Sequence, residues 1–271
     1  VSHPLLARLR DRDPGVRRAA CREAPEDASA VLLVDALVEA LADPDKGVAR
    51  AASDALARIG QRDAGVSRTL AAALQRLAPQ GRLFAALAIA RLEPPPLKLL
   101  PPLVSALALA DGDLRWTAVR LLVELGRSAP EVLPLLLALV AGDEQPEVRR
   151  MAVFALRELA PDRDESARAL LAASRAGDVE LRRAALVSLA ALWEPGRDVV
   201  ARLCGALAED PDAESRGLAA SALGELAAAH PERVAPAARA ALESALRSGP
   251  APARAAAERA LRRIRPGLRA G

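Results

Sequence analysis

Apolar residues recur along this chain at helical spacing. Between Val48 and Ile59 they fall at relative positions 0, 4, 7, 8 and 11. Those positions line one face of an α-helix and do not alternate as a strand would. The pattern returns at Leu114–Leu125, Val148–Leu159, Leu181–Leu192, Ser215–Leu226 and Ala253–Ile264. It is weaker at Gly81–Leu92 and degenerate from Val16. One small anchor marks every copy: Ala20, Ala52, Ala85, Ala118, Ala152, Ala185, Ala219 and Ala257. The spacing is about 33 residues, stretching to 38 at the end. A fixed period of this size is the mark of a repeat architecture. Alanine at the anchor predicts a close approach of two helices, with leucine filling the space beside it.

Polar turns precede these helices: Asp11 to Gly15, Asp43 to Gly47, Asp111 to Asp113, Gly142 to Pro146, Gly177-Asp178 and Asp210 to Asp212. Aspartate caps the free N–H groups of a helix start, and proline suits its first turn. Before the turns lies a second set of apolar-periodic runs, at 31–42, 66–78, 101–110, 132–141, 167–176, 199–209 and 234–246. Each unit is therefore predicted as helix A, tight turn, helix B. Pro101, Pro102, Pro134 and Pro236 fall in helix A, where proline starts or kinks a helix. The predicted units are 1–29 (partial), 30–62, 63–94, 95–128, 129–161, 162–195, 196–229 and 230–271, the last a capping repeat. All belong to a single array. Leu5, Leu6 and Leu9 read as the tail of a helix A whose beginning is missing. Such units bury little alone, and stacking gives them a continuous core.

The carrying signature is Asp, then a Val-Arg or Leu-Arg pair, then Ala, Ala-Leu and Leu, as in Asp143 to Leu159. It covers nearly the whole chain and resembles HEAT repeats, above all the short bacterial HEAT-like repeats named after phycobilisome lyases. The tetratricopeptide and ankyrin signatures of similar period are absent. The resemblance implies an all-α fold, a right-handed α-α superhelix (solenoid) of about seven to eight helix-turn-helix repeats. It also implies ladders between adjacent repeats, built from Arg17, Arg82, Arg115, Arg149, Arg182, Arg216 and Arg254 with Asp13, Asp45, Asp113, Asp143, Asp178 and Asp212. A guanidinium fork can hold a carboxylate and turn carbonyls together.

Composition agrees with helix. Alanine and leucine dominate, asparagine and tyrosine are absent, and aromatics are 1% of the chain (Phe84, Phe154, Trp116, Trp193). An all-β fold needs the β-branched and aromatic residues this chain lacks. The longest apolar stretches, Leu99–Ala110 and Val132–Ala141, are too short for a membrane span. A cytoplasmic protein is the default. Net charge is +3, with residues 1–22 and 232–271 basic and the middle acidic. The 254–269 segment reads as a cap or a contact.

Two cysteines, Cys21 and Cys204, cannot build a disulfide framework or a four-ligand metal site, and two histidines, His3 and His230, exclude most His-based chemistry. No Gly-rich phosphate loop, nucleophile elbow, His-Glu-x-x-His or Cys-x-x-Cys occurs. No catalytic residue, metal or cofactor is expected.

Function therefore rests on what helix B leaves uncovered, at relative positions 2, 5 and 6. Leu87, Trp116, Val119, Phe154, Leu186 and Val187 form an exposed apolar patch if those positions face the concave side, rimmed by Arg120, Arg150 and Arg183. Tight packing would instead bury position 5 or 6 as extra core. An apolar patch rimmed by charge marks a partner site. The leading expectation is a non-catalytic scaffold for a peptide or protein partner, monomeric by default, with a dimer through the first half-repeat left open. The first alternative is DNA binding through Arg18, Arg50, Arg150, Arg183 and the basic ends. HEAT-like alkylpurine DNA glycosylases pair Trp with a nearby Asp; here Trp116 is followed one turn on by Arg120. The second alternative, a bilin lyase or isomerase subunit, is suggested only by the name of the repeat.

Overall fold

The computed structural model describes residues 3–25 and 27–264. Every regular element among them is helical, and the elements come in A/B pairs. The A helices are α1 (Leu5–Leu9), α3 (Val34–Ala40), α5 (Gly65–Arg76), α7 (Leu100–Ala106), α9 (Val132–Ala141), α11 (Asp164–Ala173), α13 (Arg197–Glu209) and α15 (Pro231–Ser248). The B helices are α2 (Pro14–Arg22), α4 (Lys46–Gly60), α6 (Pro79–Ala90), α8 (Gly112–Ser128), α10 (Pro146–Leu159), α12 (Val179–Leu189), α14 (Ala213–Ala229) and α16 (Ala251–Ile264). Short 3-10 turns lead into α3 and α7.

The chain divides into two compact units at the start of α9, between Val132 and Leu133. In the first, α2, α4, α6 and α8 pack in succession, with α1, α3, α5 and α7 against their own partners. In the second, α10, α12, α14 and α16 pack in succession, and α11, α13 and α15 line up beside them. Each unit is thus a stack of helix pairs with nearest-neighbour packing.

The anchor column explains the stacking. All eight anchor alanines have no exposed surface. The leucines four residues on, Leu56, Leu122, Leu156, Leu189 and Leu223, are likewise fully buried. Between α14 and α16 the approach is closest: a Cβ on Gly224 would lie 2.5 Å from the Cβ of Ala260. Only glycine permits that spacing.

Five of the eight described B helices start on an aspartate cap. Asp13, Asp45, Asp111, Asp178 and Asp212 are N-caps whose carboxylates accept from backbone N–H groups of the first turn. Each such cap contributes about 1 kcal/mol. Among the B helices, α6 and α10 open instead on Pro79 and Pro146 without a side-chain cap. Proline at the first position lacks one of the N–H groups that would need a partner. Prolines also open helix A: Pro101 and Pro102 lie in the first turn of α7, whereas Pro236 sits inside α15, which runs on to Ser248.

The weak third repeat has its own device. Since α6 has no Asp turn, Lys46 at the start of α4 reaches Asp111 and Asp113 at the start of α8, at 2.9 and 2.7 Å. Gln80 on α6 donates to the Asp43 carbonyl at 2.9 Å.

Candidate interaction surface

The arginine at relative position 1 ties seven of the eight B helices to the turn that precedes them; α4 carries Ala49 there. Arg17 donates to the Asp11 and Arg12 carbonyls, Arg82 to Leu77, Arg115 to Leu109 and Ala110, and Arg149 to Val140. Arg182 donates to Ala176 and Gly177, Arg216 to Asp210, and Arg254 to Gly249. Two of the seven also cross to the next repeat through a forked ion pair. Arg17 holds Asp43 at 2.6 and 2.9 Å, and Arg182 holds Asp210 at 3.1 and 3.2 Å. Burial opposes the charge on Asp43, yet the Arg17 guanidinium and the Asp45 backbone N–H together outweigh it and keep the carboxyl below its ordinary range.

The carboxylates of this ladder are not the ones its spacing suggested. In Asp43-Pro44-Asp45 and Asp210-Pro211-Asp212 the first Asp takes the arginine and the backbone N–H of the second. The second Asp caps the helix. Asp13, Asp45 and Asp178 are therefore caps rather than rungs. Asp113 sits inside the first turn of α8, whose cap is Asp111, and Asp143 lies three residues before Pro146, the uncapped start of α10. An Asp-x-Asp doublet was the available signal, because its first carboxylate is spare once the second caps the helix.

A second ladder runs one residue further along the helices of the second unit. Arg150 on α10 donates to Glu147 at 2.8 Å and to Glu180 on α12 at 3.5 Å. Glu180 also accepts from Arg183 at 2.9 Å, and Arg183 forks onto Asp212 of α14 with two bonds of 2.9 Å. Hydrogen bonds from Arg183, with those from Ser215, hold the Asp212 carboxyl well below the usual carboxylate range. Arg150 and Arg183 thus carry compensated charge.

The structure separates positions 5 and 6. Position 5 is core: Cys21, Ser53, Ala86, Val119, Val153, Leu186 and Ala220 are all buried. Ser53 shows where this position points, because its hydroxyl donates at 2.9 Å to the carbonyl of Phe84 on the next B helix. Val119 and Leu186 therefore leave the expected patch. Position 6 is open or half-open throughout: Arg22, Asp54, Leu87, Arg120, Phe154, Val187, Ser221 and Arg259. Position 2 is mixed, with Leu83 and Gly217 covered and Trp116 38% exposed.

In the first unit this leaves Leu87 on α6 with Trp116 and Arg120 on α8. Arg120 is exposed and donates to the Thr117 hydroxyl at 3.3 Å. The second unit presents half-buried Phe154 on α10 and Val187 on the adjacent α12. The Arg157 guanidinium lies 5.9 Å from the centroid of the Phe154 ring, a cation–π contact. Arg157 was missed because most of its repeat column is small or apolar: Ala57, Ala90, Val123, Ala190 and Gly224.

Neither cysteine is poised for chemistry. Burial, with the Asp43 charge adding to it, pushes the Cys21 thiol up to about 11, and burial also raises that of Cys204. The described residues contain no group of three or more His, Cys, Asp or Glu placed to hold a metal ion. Nor is any described helix long and apolar enough to cross a membrane.

Residues 2–90, 66–157 and 100–191 match HEAT repeats. The chain belongs to the HEAT-repeat family. Solved structures agree on the fold. Kap95p, in its structure with RanGDP, aligns with a TM-score of 0.64 at 14% identity over 96% of this chain. Importin β aligns at 0.58 and 16% identity over the same share. This chain spans 40% of the length of each. Escherichia coli YibA aligns at 0.54 with 16% identity, covering 97% of this chain and 92% of its own. No curated protein matches the chain in sequence.

Proposed function

We propose that this HEAT-repeat protein is a non-catalytic scaffold that holds a peptide or protein partner on the open face of its B helices. The carrying observation is the pair Phe154 and Val187. Two apolar side chains from adjacent helices stay half-exposed while the columns beside them are buried. Charges that flank them are bound in intramolecular ion pairs, so the patch keeps its shape without a partner. Aromatic and arginine groups on such a patch are the usual anchors of an interface. Kap95p, which shares this fold, binds RanGDP, and a stack of helix pairs offers such a surface here too.

The test is partner capture from the native host by the Phe154→Asp, Val187→Asp double variant. Both side chains are partly solvated, so helix content and melting should stay close to the parent. Capture should be abolished. Undiminished capture by a folded double variant removes the surface from consideration.

DNA binding draws less support from the charges. Arg150 and Arg183, two of its four concave arginines, are committed to Glu147, Glu180 and Asp212. That leaves Arg18 and Arg50 with the basic ends, whose residues 265–271 lie outside the described structure. Phosphate-driven association would weaken steeply with salt, and a flat response would exclude it.

A further inference from the structure

The second unit holds a cavity of about 420 Å³ whose lining includes neither Phe154 nor Val187, where the loop after α10 meets the loop after α12. It is lined by Pro161, Asp162, Arg163, Asp164, Ala167, Leu192, Trp193 and Glu194. Trp193 stands 71% exposed at its rim, the most exposed large apolar side chain among the described residues. The two loops are tied together, since the Trp193 backbone N–H donates to the Pro161 carbonyl at 3.2 Å. An indole left in water, in a chain with only four aromatics, is an unpaid hydrophobic cost unless something covers it.

Charge says what kind of group that is. Asp162, Asp164 and Glu194 line the cavity, and none has an ion-pair partner among the described residues. Arg163 is the single cation beside them. Three carboxylates against one arginine leave a net negative rim around an aromatic face, which attracts a cation carrying apolar atoms that can lie on the indole while its charge meets the acids. Anions are repelled there, and a wholly apolar group would desolvate the carboxylates without compensation.

We propose that the Trp193 cavity binds an arginine or lysine side chain of a protein partner, with the cation over the indole and Asp162, Asp164 and Glu194 as counter-charges. The site does not depend on the B-helix face, so it can succeed or fail separately from that reading.

The probe is a short alanine-based peptide carrying two arginines, titrated into the full chain at low salt and followed by tryptophan fluorescence. Two matched peptides, one with citrulline and one with glutamate in place of arginine, serve as comparisons. The arginine peptide should quench saturably, and the glutamate peptide should not bind. Neutralising the cation or replacing Trp193 by Leu should weaken binding by about fivefold, with Trp193→Leu followed by calorimetry. Asp162→Asn with Asp164→Asn should weaken it similarly, and raising salt above ~0.1 M should do the same to the parent. Circular dichroism checks that the variants fold; these positions are at the surface. Phe154→Asp with Val187→Asp should leave peptide binding unchanged. Equal binding of the citrulline peptide, preference for the glutamate peptide, unchanged affinity of Trp193→Leu, or absence of saturable binding would each overturn the proposal.

Discussion

Replacing Asp210 by Asn should destabilise the second unit far more than a surface change, because it strands a buried guanidinium. Both partners are almost wholly buried, with side-chain exposures of 11% for Arg182 and 2% for Asp210. The carboxylate takes two N–H groups of Arg182, and the same guanidinium holds the Ala176 and Gly177 carbonyls. Removing one member of a buried ion pair costs about 3–5 kcal/mol, since the other charge stays desolvated. Arg182→Met also abandons two carbonyls, adding roughly 1 kcal/mol for each lost bond. When both are replaced, no uncompensated charge remains. The double variant should lose only about 2 kcal/mol, less than either single one. Arg149→Met is the internal comparison: its side chain makes only the Val140 carbonyl bonds and should cost about 1–2 kcal/mol. Urea unfolding followed by circular dichroism supplies the four values of the cycle. Additivity within about 0.5 kcal/mol, or an Asp210→Asn cost below about 1 kcal/mol, would refute the argument.

Gly224→Ala should lower stability by about 1–3 kcal/mol, because the new methyl would sit 3.0 Å from the Ala260 Cα and helix backbones cannot yield as a side chain tip can. Gly205→Ala, with nothing within 4 Å, should instead stabilise by about 0.5–1 kcal/mol; thermal melts of the two variants should move in opposite directions. Stability should also fall in acid through Asp212. Its folded pKa is depressed, so its contribution is complete above the unfolded value of about 3.9 and disappears as pH drops toward the folded one. Arg183→Met should therefore show a stability deficit near neutral pH that shrinks below about pH 4, as measured by urea midpoints; a deficit independent of pH would contradict this linkage.

The helix pairs were legible because each rests on redundant local signals. Apolar spacing recurs in every copy beside either an Asp cap or a first-turn proline, as at Asp45, Val48, Ala52 and Leu56. The ladder was legible only in part. Arg17 and Arg182 stood out as a column, but their carboxylates, Asp43 and Asp210, look equivalent in sequence to the caps two residues later. Which oxygen faces the helix N–H groups and which faces the preceding arginine is set by where the turn ends. The same limit hid Glu180. A glutamate in a helix's first turn reads as a dipole partner, and its link to Arg150 and Arg183 exists only once α10 and α12 lie side by side.

Position 5 shows why periodicity alone leaves the surface undecided. At 100° per residue, positions 3 and 5 of helix B lie about 90° and 110° from the centre of the core stripe, on opposite flanks, while positions 2 and 6 lie about 150° or more away. A lone amphipathic helix would leave both flanks half-solvated. In a stack, each flank meets another helix B, so the buried arc widens over positions 3 and 5, while position 6 stays open throughout and position 2 in part. The Ser53 hydroxyl at position 5 of α4, bonded to Phe84 at position 3 of α6, is that contact in a single hydrogen bond. The first and last described B helices bear it out. On α2, Cys21 at position 5 is buried and Ala19 at position 3 is only half-covered; on α16, Ala256 at position 3 is buried and Glu258 at position 5 is exposed. Position 5 thus faces the following repeat and position 3 the preceding one. A substitution at Val153 or Leu186 would accordingly report on stacking, and one at Phe154 or Val187 on binding, although the residues adjoin in sequence.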